Sequence, residues 1–384
     1  MTEISVRKEM LTWAREYRGL SIEDAAERLL IEVETLAALE AGVTKLNLTQ
    51  FRRYSEKLRI PLATLLRQTP PPLPPTPLDF RTFSGARPSL GFDVRLAISY
   101  AYTVEQNILE LVDAHAAPRR GELPVVGLGA DPDRAGERER QRLGVSAEAQ
   151  LSWQWGDAFR NWRTILEGAG VYVLQQKFDL EDCRGFTVFR NPDAPIIMLN
   201  KAEQYDSAKI YSLLHEYAHL LLRQPGLSDL GEKHPVEAFC NRFAAGFLMP
   251  RSLLKEVLPY WPDSPVDWDR DLIAHYARRI KVSQQALALR LEQLGLAPAG
   301  FFARLVGQQK VSDSRSSPGG NYVSTQVSEV GYRFTTAVLN AADADRITTA
   351  EAAEMLSLAP KHFGMLKDRL DRQLADVGFG AVHY

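Results

Sequence analysis

The chain has 384 residues, more than one ordinary domain holds, which points to two or three domains. Its hydrophobic fraction of 45% and charged fraction of 24% are those of a globular protein with ample core, and its formal net charge of -2 excludes a global electrostatic pull toward nucleic acid or anionic lipid. Cys183 and Cys240 are its only cysteines, which excludes a disulfide framework and fits a reducing compartment.

The N-terminus, Met1 to Glu9, is charged and lacks an apolar signal-type core. No run approaches the roughly 18 apolar residues that a membrane span needs, so a cytoplasmic location is expected. Residues 1–68 read as five short helices. The first runs from Arg7 to Arg18 and is closed by Gly19. Ser21 caps the second, with Glu23 and Asp24 in its first turn and an apolar continuation to Leu30. Thr35 to Glu40 stops at Ala41-Gly42, and Leu48 to Leu58 and Pro61 to Arg67 complete the set.

This stretch resembles the Cro/phage-repressor (XRE) type of helix-turn-helix domain in its Leu20-Ser21 start, Glu40-Ala41-Gly42 turn and Leu48-Thr49-Gln50-Phe51 close. DNA readers present basic and amide side chains on the recognition helix. Here Ile31 to Glu40 carries three glutamates and no base, while Lys45, Arg52, Arg53 and Lys57 lie nearby. Weak DNA binding through residues 1–68 and a fold reused for protein contact both remain open. A stiff Pro-rich spacer, Thr69 to Pro77, opens a linker over 69–91.

Phe92 to Ala117 has the apolar spacing of a long helix, and Pro118 to Glu139 mixes Gly, Pro and alternating charge as an exposed loop would. Gln150 to Gly168 reads as one Trp-rich helix whose Trp153, Trp155 and Trp162 either pack in a core or line a groove. Val171 to Leu174, Gly185 to Phe189 and Pro195 to Leu199 read as strands.

The next segment, Tyr211 to Leu222, contains no Gly or Pro and encloses His215-Glu216-Tyr217-Ala218-His219. On a helix, residues four apart stand one above the other, so both imidazoles leave one face and can bind one Zn²⁺ per chain. Glu216 then stands beside the ion as a general base, which is the zinc-protease pattern. The alternative is a chance pairing of histidines on an amphipathic helix. A catalytic zinc takes three protein ligands. Pro235 to Pro250 reads as a second helix with Glu237 and Asn241 on one stripe and Phe239, Phe243 and Phe247 on another. Glu237 is a candidate third ligand or else a solvated acid at a helix start. Asn241 is a candidate for orienting a ligand, or for capping a neighbouring loop.

The pair of segments from His215 to Leu222 and from Glu237 to Pro250, preceded by the strand-like Arg184-Gly-Phe-Thr-Val and Ala194 to Asn200, resembles the ImmA/IrrE family of zinc metallopeptidases over about residues 150–300. Tyr217-Ala218 replaces the common Leu-Gly, and Cys240 stands where Ala is usual. The resemblance implies a thermolysin-like α+β peptidase in which His215, His219 and Glu237 hold zinc and Glu216 is catalytic. It also implies a protein substrate, a helix-turn-helix repressor or antitoxin encoded nearby, cut in a stress or mobile-element response.

Leu272 to Ile280 and Ser283 to Leu294 have helical spacing, Val311 to Gly320 reads as a linker (311–321), and Val327 to Leu374 reads as a final helical unit with Thr348 as a cap. The expected fold is therefore multidomain and mainly α. It comprises a five-helix helix-turn-helix domain (1–68), a zinc peptidase domain with a small sheet (92–310) and a helical C-terminal domain (322–384). Three functions are set against each other: an endopeptidase, a DNA-binding regulator whose peptidase fold senses, and a toxin–antitoxin component whose peptidase fold binds a partner. Cys183, just ahead of a strand, is a candidate inhibitory fourth zinc ligand, against a bland reading as packing.

Overall fold

The computed structural model describes residues 3–71, 91–113, 123–179, 183–224, 235–307 and 327–376. The 311–321 linker, nearly all of the 69–91 linker and the last four residues of the expected Phe92–Ala117 helix lie outside these. The chain is mainly helical and divides into two compact units, Met1–Tyr102 and Thr103–Tyr384.

The first unit contains the five helices that the punctuation in the sequence predicts: α1 (Lys8–Tyr17), α2 (Ile22–Leu29), α3 (Val33–Glu40), α4 (Leu48–Leu58) and α5 (Leu62–Leu65). Ser21 accepts the Asp24 amide at 3.0 Å, and Asn47 and Gln50 form a reciprocal capping box. Gly19, at φ +60, supplies the left-handed residue after α1. Met10, Leu29, Leu36, Leu39, Phe51 and Leu58 form the buried centre. A two-stranded pairing of β1 (Glu3–Ile4) with β2 (Leu46–Asn47) is too short to be seen in the sequence. Among the three glutamates before and on α3, Glu32 and Glu34 are exposed, whereas Glu40 is held by Arg15 at 2.9 Å. Arg53 donates to the Leu29 and Leu30 carbonyls, so one of the nearby cations serves as a cap for α2.

Helix α6 (Phe92–Asp113) carries the boundary between the units. In the second unit, α7 (Pro132–Arg142) corrects the expected exposed loop over Pro118 to Glu139. Asp131 caps α7 by accepting the Arg134 amide at 2.9 Å, and Pro132 stands at its first turn. Its buried stripe is Ala135, Gly136, Glu139 and Arg140, which hides the helical period because half of it is charged. The expected single Trp-rich helix is two helices, α8 (Ala147–Ser152) and α9 (Ala158–Gly168), with extended backbone at Trp153 and Gln154 between them. That break folds Trp153 back edge-on to the fully buried Trp162, which also meets Phe247 edge-on. The core reading of Trp162 holds.

The three expected strands form one mixed sheet of β3 (Tyr172–Gln176), β4 (Gly185–Val188) and β5 (Ile196–Asn200) in the order β3-β5-β4. β5 runs parallel to β3 and antiparallel to β4, leaving β4 as an edge. Helix α10 (Asp206–Leu222) lies against β4 and β5, and α11 (Pro235–Leu248) packs between α10 and α7. Phe243 and Phe247 of α11 are fully buried, and each such side chain contributes about 1.5–3 kcal/mol by leaving water. The α7–α11 crossing is set by two glycines. A Cβ at Gly136 would lie 2.6 Å from the Phe243 carbonyl oxygen, and one at Gly246 would lie 2.9 Å from the Asp133 Cα.

Next come α12 (Arg251–Val257), α13 (Arg270–Ile280), α14 (Gln284–Gln293) and α15 (Phe301–Gly307). The final helices are α16 (Tyr332–Asp343), α17 (Thr349–Leu356, with the expected Thr348 cap) and α18 (Phe363–Asp376). The segment before α16 docks beside β3. Arg163 and Gln175 both donate to the Ser328 carbonyl, at 2.7 and 2.8 Å, and the Tyr332 amide donates to the buried Glu167 carboxylate at 3.2 Å. No helix of the described residues is long and apolar enough to cross a membrane.

Candidate metal centre

Three of the predicted donors converge. The Nε2 atoms of His215 and His219 are 3.2 Å apart, and the Glu237 carboxylate oxygens lie 3.0 and 3.3 Å from them. Nitrogen and oxygen donors held about 2.0–2.1 Å from a tetrahedral zinc are themselves about 3.3 Å apart. The spacing is therefore that of three corners of a zinc tetrahedron.

The far sides of the rings show why these nitrogens face one another. His215 Nδ1 is 2.9 Å from Asn241 Oδ1, and His219 Nδ1 is 3.1 Å from the Gln224 carbonyl. Both partners accept only, so each Nδ1 carries the hydrogen and each Nε2 turns a lone pair inward. Two lone pairs and a carboxylate aimed at one point repel unless a proton or a metal ion sits between them, and the residues fit a zinc ion. The Gln224 contact depends on the helix end: Arg223 adopts φ +55, which swings Gln224 back so that its amide bonds the His219 carbonyl while its own carbonyl meets the His219 ring. An Arg in that conformation gives no sequence signal. Asn241 is placed as the sequence suggests, and Tyr211, one turn before His215, donates to the Asn241 carbonyl at 2.9 Å.

Glu216 is buried at the foot of β4. A Cβ on Gly185 would stand 3.1 Å from its Cγ and 3.2 Å from its Oε1, so only glycine leaves the carboxylate room there. On the opposite side of α10, the Tyr217 hydroxyl donates to Glu139 Oε1 at 2.5 Å, and Arg142 holds the same carboxylate. The motif's unusual Tyr thus ties the metal helix to α7, and burial with the Glu139 charge holds its phenol well above the ordinary range.

Cys240, one turn beyond Glu237 on α11, is the residue whose placement the sequence missed. Its sulfur groups with donor atoms of His215 and His219, all within 4.8 Å of one another. Burial raises its thiol pKa. Cys183 is also buried, ahead of β4, where its carbonyl accepts Asn200 Nδ2 at 3.1 Å.

The donors open onto a cleft of about 540 Å³. Arg184 ahead of β4, Ser212 and Tyr211 of α10, and Gln285, Leu289 and Gln293 of α14 are among the residues of its walls. A buried H-E-x-x-H helix, a carboxylate from the next helix and a cleft above them make up the constellation of a zinc-protease domain. Residues 166–292 match the family described as the IrrE N-terminal-like domain, and residues 10–48 match a helix-turn-helix domain family. The chain thus combines an IrrE-type peptidase domain with an N-terminal helix-turn-helix domain, the ImmA/IrrE architecture indicated by its sequence. No curated protein matches the chain.

Two expected results follow from this geometry. Asn241→Ala removes the acceptor that fixes the His215 ring, and loss of such a partner typically weakens metal binding by about 10–100-fold. Zinc affinity measured by competition with a chromophoric chelator tests it, and an unchanged affinity rejects the role. The second result concerns protons. Burial disfavours a charge on His219, but Cys240 and Glu237 more than offset it and hold its pKa well above the ordinary value. Burial acts to raise Glu237 too, yet the two imidazoles bring it down to about 2.

In chelated protein the His219 contribution to stability is therefore complete below about pH 6.5 and is lost as pH rises through the higher folded value. The Glu237 contribution is present above about pH 4.5 and is lost as pH falls toward 2. Near neutrality zinc must displace the His219 proton, so its binding releases about one proton and weakens on acidification. Calorimetric zinc titrations in buffers of different ionisation enthalpy count that proton, and a count of zero contradicts the assignment.

Proposed function

We propose that this chain is a zinc-dependent endopeptidase that cleaves a regulatory protein, a helix-turn-helix repressor or antitoxin, in a stress or mobile-element response. The convergence of His215, His219 and Glu237 at zinc-ligand spacing, with Glu216 beside them and an open cleft above, is the observation that carries this reading.

A zinc ion bound by these three side chains supplies a Lewis acid that polarises a carbonyl and acidifies water. The protein's own groups do the rest. Glu216, adjacent in sequence to a ligand and fixed under Gly185, takes the proton of the attacking water and returns it to the leaving amine. Asn241 and the Gln224 carbonyl keep the imidazoles in the ligating tautomer. Arg184, immediately ahead of the β4 edge, lines the cleft and Gly185 lies against Glu216, so an extended substrate can add to that edge as a further strand, its backbone hydrogen bonds fixing the scissile bond over Glu216. A cleft that recognises backbone in this way takes an unfolded or flexible segment of its substrate.

The N-terminal domain fits substrate or partner contact better than base reading, because Glu32 and Glu34 are the charges exposed at its recognition helix. The test is incubation of the zinc-loaded protein with the helix-turn-helix protein encoded beside it, followed by mass spectrometry of the products. A single cut, lost on chelation and restored by zinc, is the expected outcome. An intact partner under zinc saturation, with a stable complex formed instead, favours the partner-binding alternative.

A further inference from the structure

We infer that Cys240 is a fourth protein donor to the metal centre, so that the ion has a closed His₂-Glu-Cys state in which the enzyme is latent. The inference deepens the zinc reading above and rests on it. Glu237 and Cys240 stand three residues apart on α11 and so project from the same face toward the same pair of imidazoles. Glu237 reaches both Nε2 atoms at 3.0 and 3.3 Å, and the Cys240 sulfur lies in a group with the histidine donors whose widest separation is within 4.8 Å.

In a tetrahedral site a sulfur about 2.3 Å from zinc stands about 3.6 Å from nitrogens bound at about 2.0–2.1 Å. Closing from the observed spacing takes about an ångström at most, within reach of a χ1 adjustment. The step balances simply. The thiol S–H bond breaks, its proton passes to solvent, and the thiolate sulfur takes the coordination position that water otherwise holds, releasing that water. Glu216 is then left with no water to activate. Substrate beside β4 would reverse the exchange if its carbonyl took the same position, the sulfur regaining its proton from solvent as it left. Oxidation of the thiol by a peroxide to the sulfenic acid likewise removes the thiolate donor, with the peroxide reduced to water or an alcohol.

Zinc K-edge X-ray absorption on the full chain, with metal content measured on the same samples, decides it. Wild type is expected to hold about one zinc with a sulfur neighbour at about 2.3 Å. Cys240→Ala is expected to keep the zinc and lose the sulfur shell, and Cys183→Ala to keep both. Alanine fits the space that Cys240 fills, and Cys240→Ser, nearer in size, repeats the measurement if the alanine protein is poorly folded. A wild-type centre with zinc but only nitrogen and oxygen neighbours overturns the inference and leaves the peptidase reading intact. So does a sulfur shell that persists in Cys240→Ala. Wild type that retains no zinc overturns both.

Discussion

Glu216→Gln is expected to leave the zinc content of the protein at about one ion per chain while slowing cleavage of its substrate by about 10²–10⁴-fold, the usual contribution of a general acid–base group. The amide keeps the size and hydrogen-bonding shape of the carboxylate, so it fits the space under Gly185 without disturbing His215 or His219. What it lacks is a lone pair basic enough to take a proton from water. The pairing of measurements matters. Loss of both zinc and activity would mean that the substitution broke the helix, and retention of both would remove Glu216 from the chemistry. Glu237→Ala separates the roles from the other side, because it deletes a donor that lies within 3.3 Å of both imidazoles, so metal and activity are expected to fall together.

The largest expected effect on stability lies away from the metal, at the crossing of α7 and α11. Gly136→Ala places a methyl group 2.6 Å from the Phe243 carbonyl oxygen and 2.7 Å from the Phe247 amide nitrogen. Both are backbone atoms inside a helix and cannot rotate away. The helices must separate, and overpacking of this kind costs about 1–3 kcal/mol, at the upper end here because α11 also carries Glu237, Cys240 and Asn241. Denaturant unfolding is expected to show the loss, together with weaker zinc binding, since a shift of α11 moves Glu237 relative to His215 and His219. Helix propensity acts the other way, since alanine is favoured over glycine inside a helix by roughly 1 kcal/mol, so a net loss reports the crossing and an unchanged or raised stability rejects it.

Much of this was legible in the sequence where local chemistry decides the outcome. The Ser21 and Asn47 caps, the Gly19 turn, the three apolar strands and the H-E-x-x-H spacing each act within one turn of chain. Helix α7 was not, because its buried stripe includes Glu139 and Arg140, whose burial is offset by partners on other elements: Tyr217 for one, Gln150 and the Phe247 carbonyl for the other. The His219–Gln224 contact and the placement of Cys240 were hidden for two other reasons. One depends on a left-handed Arg223, the other on how α10 and α11 pack. The sequence names the donors; only the packing shows that Cys240 lies among them.

The docking of Ser328 and Tyr332 beside β3 bears on how the second unit assembles. Arg163 and Glu167 are buried at 1% and 0% exposure, and part of their hydrogen bonding is to chain that follows the whole metal site. On a ribosome, α9 to α14 emerge before those partners exist. The edge of the sheet opposite β4 stays wet, and Arg163 and Glu167 have each other at 3.2 Å but not yet the backbone groups of Ser328 and Tyr332. A chain stopped at Gly307 is expected to hold both α10 and α11 and still unfold at lower denaturant than the full protein. The edge beside β3 is thus completed only by chain made after the candidate metal site, which couples the last step of sheet assembly to a distant segment.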